Sequence, residues 1–184
     1  VAFCAVLYGA LGAAFVLSPP EWRQQDAIEE VPVINIPPGD RKGNWIGPQG
    51  MGSCVHASMI SLLRWQGRRD LADAWRYADG ESPRTFNRKL DAAGVRYAVI
   101  TNGDAGFLEW ACRTRRGAGV TVRNGAHMVT LVHLTDDQAG LLDNNDPTKI
   151  NWVPRDDFLA EWRAGPNGGW AVTPIYTPAA PLPQ

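Results

Sequence analysis

The chain has almost no charge imbalance. Eighteen Lys and Arg face 19 Asp and Glu, a net charge of −1. Nothing here suits a polyanion, so no nucleic-acid partner is expected. Cysteine is scarce: Cys4, Cys54 and Cys112. Three are too few for a disulfide scaffold, and their spacing is not that of a zinc site. No cofactor or metal is expected. A Cys54–Cys112 disulfide is the pairing to exclude, because it would consume the thiol discussed below. Histidine is equally sparse, limited to His56, His127 and His133, so imidazole chemistry has three candidates. There is no internal repeat. The N-terminal residues 1–17 carry no charge and are closed by Pro19-Pro20.

That stretch reads as an N-terminal anchor. With a few residues in front it reaches the ~20 apolar residues that span a bilayer. A cleaved signal peptide is the alternative. Ala5, Gly9 and Ala13 form a small-xxx-small ridge suited to close helix packing in lipid, so other transmembrane helices of a complex are expected partners. The next basic residues are Arg23, Arg41 and Lys42. So few positive charges place the globular part on the non-cytoplasmic, periplasmic side. Residues 1–18 are therefore taken as a transmembrane helix. Residues 19–44, with Pro32, Pro37 and Pro38, are taken as an extended linker, 45–176 as the domain, and 177–184 as a Pro-rich tail. Hydrophobic content of 45% with eight Trp is enough for a core in a domain of this size.

The sequence turns on Gln49-Gly50-Met51-Gly52-Ser53-Cys54. Behind it, Val55, Met59, Ile60, Leu62, Leu63 and Trp65 recur at helical spacing up to Gly67. Cys54 then sits at a helix N-terminus, where the partial positive charge favours a thiolate. The Gln49 amide lies in the turn leading to the sulfur, within range to donate to an oxyanion. Shorter helices are predicted over 70–78, from Ser82-Pro83 to Gly94, and from Asp104 through the basic end Arg113, Arg115 and Arg116 to Gly117. Strands are predicted over 95–101, 120–123, 127–134, 141–144 and 169–176, a short one at 152–153, and a helix over 154–164. Helices first and an antiparallel sheet after them make an α+β fold.

A thiol nucleophile needs a base, and the base needs a group to hold its tautomer. His56, two residues past Cys54 on a helix, points away from the sulfur by about 200°. His133 lies within a strand. His127 opens that strand after Gly125-Ala126, a place where a side chain can face a cleft. One hairpin later come Asp143 and Asn144, either of which can accept an imidazole N–H; Asp146 is a more distant third. Metal binding by Cys54, His56 and His127 is a further reading, although Cys-x-His at a helix start is not a usual ligand spacing.

Gln49, Cys54 with its helix, Ala126-His127 on a strand and Asp143-Asn144 on the next resemble papain-like cysteine peptidases. The closer likeness is to the compact bacterial branch: the bacteriocin-processing double-glycine peptidases and the transglutaminase-like cysteine peptidases. Cys54 and His127 are 73 residues apart, short of the ~130–150 of papain-type enzymes. The resemblance spans residues 45–175. It implies Cys54 as nucleophile, His127 as base and then acid, Asp143 as orienter with Asn144 as the alternative, and Gln49 with the Cys54 backbone N–H as the oxyanion hole. The gap from Gln49 to Cys54 is one residue shorter than the papain pattern, and Val55 replaces the aromatic that usually follows the nucleophile. The function implied is a membrane-anchored peptidase acting on a peptide substrate. The alternative is a non-catalytic papain-like accessory subunit of a membrane complex.

Overall fold

A computed structural model of the chain describes residues 31–176. The predicted anchor at 1–18, the linker as far as residue 30 and the tail at 177–184 lie outside the described residues. No helix among the described residues is long and apolar enough to cross a membrane.

The elements run α1 (Cys54–Trp65), α2 (Arg69–Asp73), α3 (Pro83–Ala92), β1 (Tyr97–Ile100), α4 (Ala105–Arg113), β2 (Ala118–Val122), β3 (His127–Leu134), β4 (Gln138–Leu142), β5 (Asn151–Pro154), α5 (Arg155–Ala164) and β6 (Ala171–Pro174). The strands form one antiparallel sheet in the order β1-β6-β2-β3-β4-β5. β3 sits inside it, and every residue of β3 except Leu134 is buried. Two apolar layers explain why. One joins Leu108 and Cys112 of α4 and Phe158, Leu159 and Trp162 of α5 to β2–β4. The other joins Val55, Met59, Ile60 and Leu63 of α1, Phe86 and Leu90 of α3, and Trp170.

α1 is the central helix of the second layer. Cys54 through Leu63 are all buried, including the polar His56, Ser58 and Ser61. Ser61 donates to the Ala57 carbonyl (3.0 Å) and accepts from the Lys42 N–H (2.8 Å), so its hydroxyl is satisfied in the interior. α3 begins with a capping box between Ser82 and Thr85 and has Pro83 in its first turn. Asp104 caps α4 by accepting from the Gly106 N–H (2.9 Å).

Two expectations are corrected. The second helix, read over 70–78, stops at Asp73. Trp75 is instead drawn inward, its indole donating to His56 Nδ1 (3.2 Å), with Tyr77 stacked beside the same ring. Aromatic burial outweighs the helical pattern there. Residues 31–44, read as part of an extended linker, pack into the domain instead. Ile34 and Ile36 are fully buried in the α4–α5 layer, the Ile34 N–H donates to the Val132 carbonyl (2.9 Å), and Pro38–Asp40 form a 3-10 turn. The packed domain therefore includes residues from 31 onward rather than from 45.

The β2–β3 hairpin places His127. Val122 pairs with His127, and the turn between them puts Arg123, Asn124 and Gly125 at φ 54°, 54° and 80°. A side chain at Gly125 would meet Pro166 at 2.7 Å, so this turn accepts only glycine there. β4 pairs with β3 on the other side, which carries Asp143, just past the end of β4, back beside the start of β3.

Candidate active site

Cys54 is the first residue of α1. Its backbone N–H has no acceptor one turn earlier, as at any helix start. The preceding Ser53 is fixed from two sides: its N–H donates to the Trp45 carbonyl (2.9 Å) and its hydroxyl accepts from the Asp79 N–H (2.9 Å). Cys54 and His127 line the same cleft, and the His127 ring with the backbone N–H groups of Met128 and Val55 favours the thiolate. Burial on its own pushes the thiol pKa up. The bond and the charge of His127, with the two backbone donors, outweigh it and bring the pKa below the ordinary 9.0.

His127 Nε2 lies 2.8 Å from Asp143 Oδ1, which leaves Nδ1 for Cys54. Burial works against the imidazolium, but the bonds to Cys54 and Asp143 raise its pKa above 6.5. Asp143 Oδ1 also accepts the Asn145 backbone N–H (2.9 Å), and Oδ2 accepts from Arg123 (3.2 Å). Its burial would raise its pKa; Asn145, His127 and Arg123 hold it below 3.8. Both partners therefore shift toward the charged form, and the site favours a thiolate beside an imidazolium held by a carboxylate.

Asn144 faces elsewhere. Its amide nitrogen lies 2.8 Å from the Met128 carbonyl, 3.1 Å from the Cys54 carbonyl and 3.1 Å from Ser58 Oγ. It ties the start of α1 to β3 without touching the imidazole. Asp146 is engaged with Thr148 and Lys149. Sequence reading missed Asn145, whose amide lies 3.4 Å from His127 Nε2. It also missed Arg123, and the only signal for that residue was its place in the turn before His127.

The other histidines are used structurally. His56 is fully buried, with Trp75 on Nδ1 and Glu81 3.2 Å from Nε2. Trp45, Trp75, Tyr77 and Phe86 surround its ring, and burial lowers its pKa. It is turned into this cage, so Cys54, His56 and His127 do not converge on a metal. His133 packs edge-on against Trp152 and accepts the Val33 N–H (3.3 Å). Cys54 and Cys112 are both unbridged. Cys112 is packed into α4 and burial pushes its thiol up to about 12, so it is inert at neutral pH.

Cys54 and His127 open onto a cleft of about 400 Å³, lined also by Asn44, Met51, Gly52, Glu81, Thr121 and Trp170. Gln49 is not among its lining residues. Gln49 is exposed and borders a neighbouring hollow with Tyr77, Glu81 and Arg88. The turn that carries it is pinned to Asp79, whose Oδ1 accepts the N–H groups of Gln49 (3.0 Å) and Met51 (3.3 Å). The structure thus brings Cys54, His127 and Asp143 together and leaves Gln49 outside their cleft.

No profile of a known protein family matches the chain, and no curated protein matches it in sequence. Solved structures do resemble it. The peptidase domain of Streptococcus mutans ComA aligns at TM-score 0.47 and 13% identity, over 73% of this chain and 98% of that one. A double glycine motif protease from an AMS/PCAT transporter, in complex with its leader peptide, aligns at TM-score 0.46 and 14% identity, over 73% and 94% of the two chains. The structural neighbours are thus peptidase domains of double-glycine-motif transporters, papain-like cysteine peptidases at low sequence identity.

Proposed function

We propose that this domain is a cysteine peptidase that cleaves a peptide substrate through Cys54, His127 and Asp143. The observation that carries the reading is that Cys54 and His127 line one cleft while His127 Nε2 lies 2.8 Å from the Asp143 carboxylate. The Cys54 thiolate attacks the scissile carbonyl carbon. A C–S bond forms and the π pair moves onto oxygen. The tetrahedral intermediate collapses, the C–N bond breaks, and the leaving amine takes the proton from His127. Water, deprotonated by His127, then attacks the thioester and releases the acid and the thiolate. Asp143 holds the ring so that Nδ1 faces sulfur throughout. The Cys54 backbone N–H is one donor to the oxyanion.

The uncharged run at 1–17 supports a second part of the proposal, that the peptidase is held at a membrane by residues 1–18 with its domain on the periplasmic side.

The test is thiol reactivity in the intact protein. Iodoacetamide should label Cys54 well below the pH at which a free thiol reacts, and far faster than Cys112. His127→Ala should bring Cys54 close to the rate of a free thiol. Slow labelling of both cysteines, unaffected by His127→Ala, would instead favour a non-catalytic docking subunit.

A further inference from the structure

An acyl-transfer site needs a second donor for the oxyanion, opposite the backbone N–H of the nucleophile. The glutamine expected to supply it borders a different hollow from the sulfur. Another carboxamide borders the cleft. Asn44 is ten residues before Cys54, too far along the chain to be noticed by spacing. The chain doubles back, however: Ile46 bridges to Gly52, and the Ser53 N–H donates to the Trp45 carbonyl (2.9 Å). This lays residues 44–46 alongside residues 52–53, next to the sulfur.

Asn44 is held by its backbone and by its amide nitrogen. Its backbone N–H donates to the Asn144 carbonyl (2.7 Å) and its Nδ2 to Asn145 Oδ1 (2.9 Å). Asn145 in turn approaches His127 Nε2 (3.4 Å). The amide rests on Gly52, where a Cβ would lie 3.2 Å from Nδ2, so the glycine two residues before the nucleophile makes room for it. One Nδ2 hydrogen goes to Asn145, and the amide nitrogen carries a second. The Asn44 Oδ1 atom is buried without a hydrogen-bond donor, a cost of about 1–3 kcal/mol for an unsatisfied polar atom. That oxygen is an acceptor and does nothing for an oxyanion; what the amide can offer one is its second Nδ2 hydrogen, held in place by the Asn145 bond and the Gly52 contact.

We infer that Asn44, not Gln49, is the side-chain donor to the oxyanion. The inference rests on the peptidase reading and assigns one further catalytic residue to it. Asn44 Nδ2 and the Cys54 N–H would hold the oxygen that gains charge when the C–S bond forms. Asn145 fixes the Asn44 amide and lies beside the His127 ring, so the two groups are held next to each other.

The experiment compares two reactions of Cys54 in the full chain. Hydrolysis of p-nitrophenyl acetate passes through an oxyanion, whereas alkylation by iodoacetamide does not. Asn44→Ala should lower kcat for the ester by about 10²–10³-fold, with KM and the alkylation rate changed less than about threefold. Gln49→Ala should leave kcat within about threefold of the parent. If Asn44→Ala does not fold, Asn44→Leu keeps the shape and removes the donors. An unchanged kcat in the Asn44 variant, or a large loss in Gln49→Ala, overturns the assignment and leaves the peptidase reading standing. Equal losses in ester hydrolysis and alkylation also overturn it, because they make Asn44 a support for the thiolate. A parent protein whose Cys54 alkylates but never turns over the ester refutes both.

Discussion

Asp143 contacts two cations with its two oxygens, and they differ in weight. His127 is buried and bound at 2.8 Å, whereas Arg123 is 60% exposed at 3.2 Å. Water screens the second pair, which is worth about 0–1 kcal/mol. Arg123→Gln should therefore cost at most about 1 kcal/mol by urea unfolding and change kcat by no more than a few-fold. Asp143→Asn should cost far more in rate, about 10²–10⁴-fold, because an amide neither fixes the tautomer nor attracts the imidazolium. The pH profile gives the sign. Activity rises as Cys54 ionises through its lowered pKa and falls as His127 loses its proton through its raised one. Asp143 contributes to raising the latter, so in Asp143→Asn the alkaline limb should move to lower pH. An alkaline limb that stays in place would show that Asp143 does not govern the imidazole.

At the scale of elements, legibility followed locality. α1, α3, α4, α5 and β3 announce themselves through nearby residues: apolar spacing, Ser82-Pro83, the Asp104 cap, and the β-branched run after His127. The α2 limit was hidden because Trp75 answers to His56, nineteen positions earlier and across a packed interface. Cys54 and His127 stand out locally, one after a glycine turn and one after a hairpin turn. Asn44 and Asn145 reach the site by pairings between distant segments, such as Asn44 with Asn144, and no periodicity records those. Residues 31–44 are the clearest case. Their prolines read as a linker, yet the apolar pair Ile34 and Ile36 fills the layer beneath α4 and α5. Ile34→Ala should destabilise the domain by about 2–5 kcal/mol, read as a lower urea midpoint. A change below about 0.5 kcal/mol would return the segment to the status of a tether.

For the whole molecule, two kinds of surface have to be reconciled. Residues 31–176 pack most of their apolar side chains into two layers, and none of their helices is long and apolar enough to cross a bilayer. The run at 1–17 has the composition for membrane attachment, with no charged side chain and the ridge Ala5, Gly9, Ala13. Keeping such a run in water costs about 25 cal/mol per Å² of apolar surface, while in lipid a helix satisfies its own backbone. The full chain should therefore stay with the membrane pellet through alkaline carbonate extraction. A chain beginning at residue 31 should be released, with Cys54 alkylated at the same rate. Gly9→Leu should weaken co-purification with a membrane partner without altering that rate, because the ridge and the thiol lie in separate parts of the chain. Release of the full chain by carbonate would rule out the anchor and leave a peptidase domain that reaches its substrate by other means.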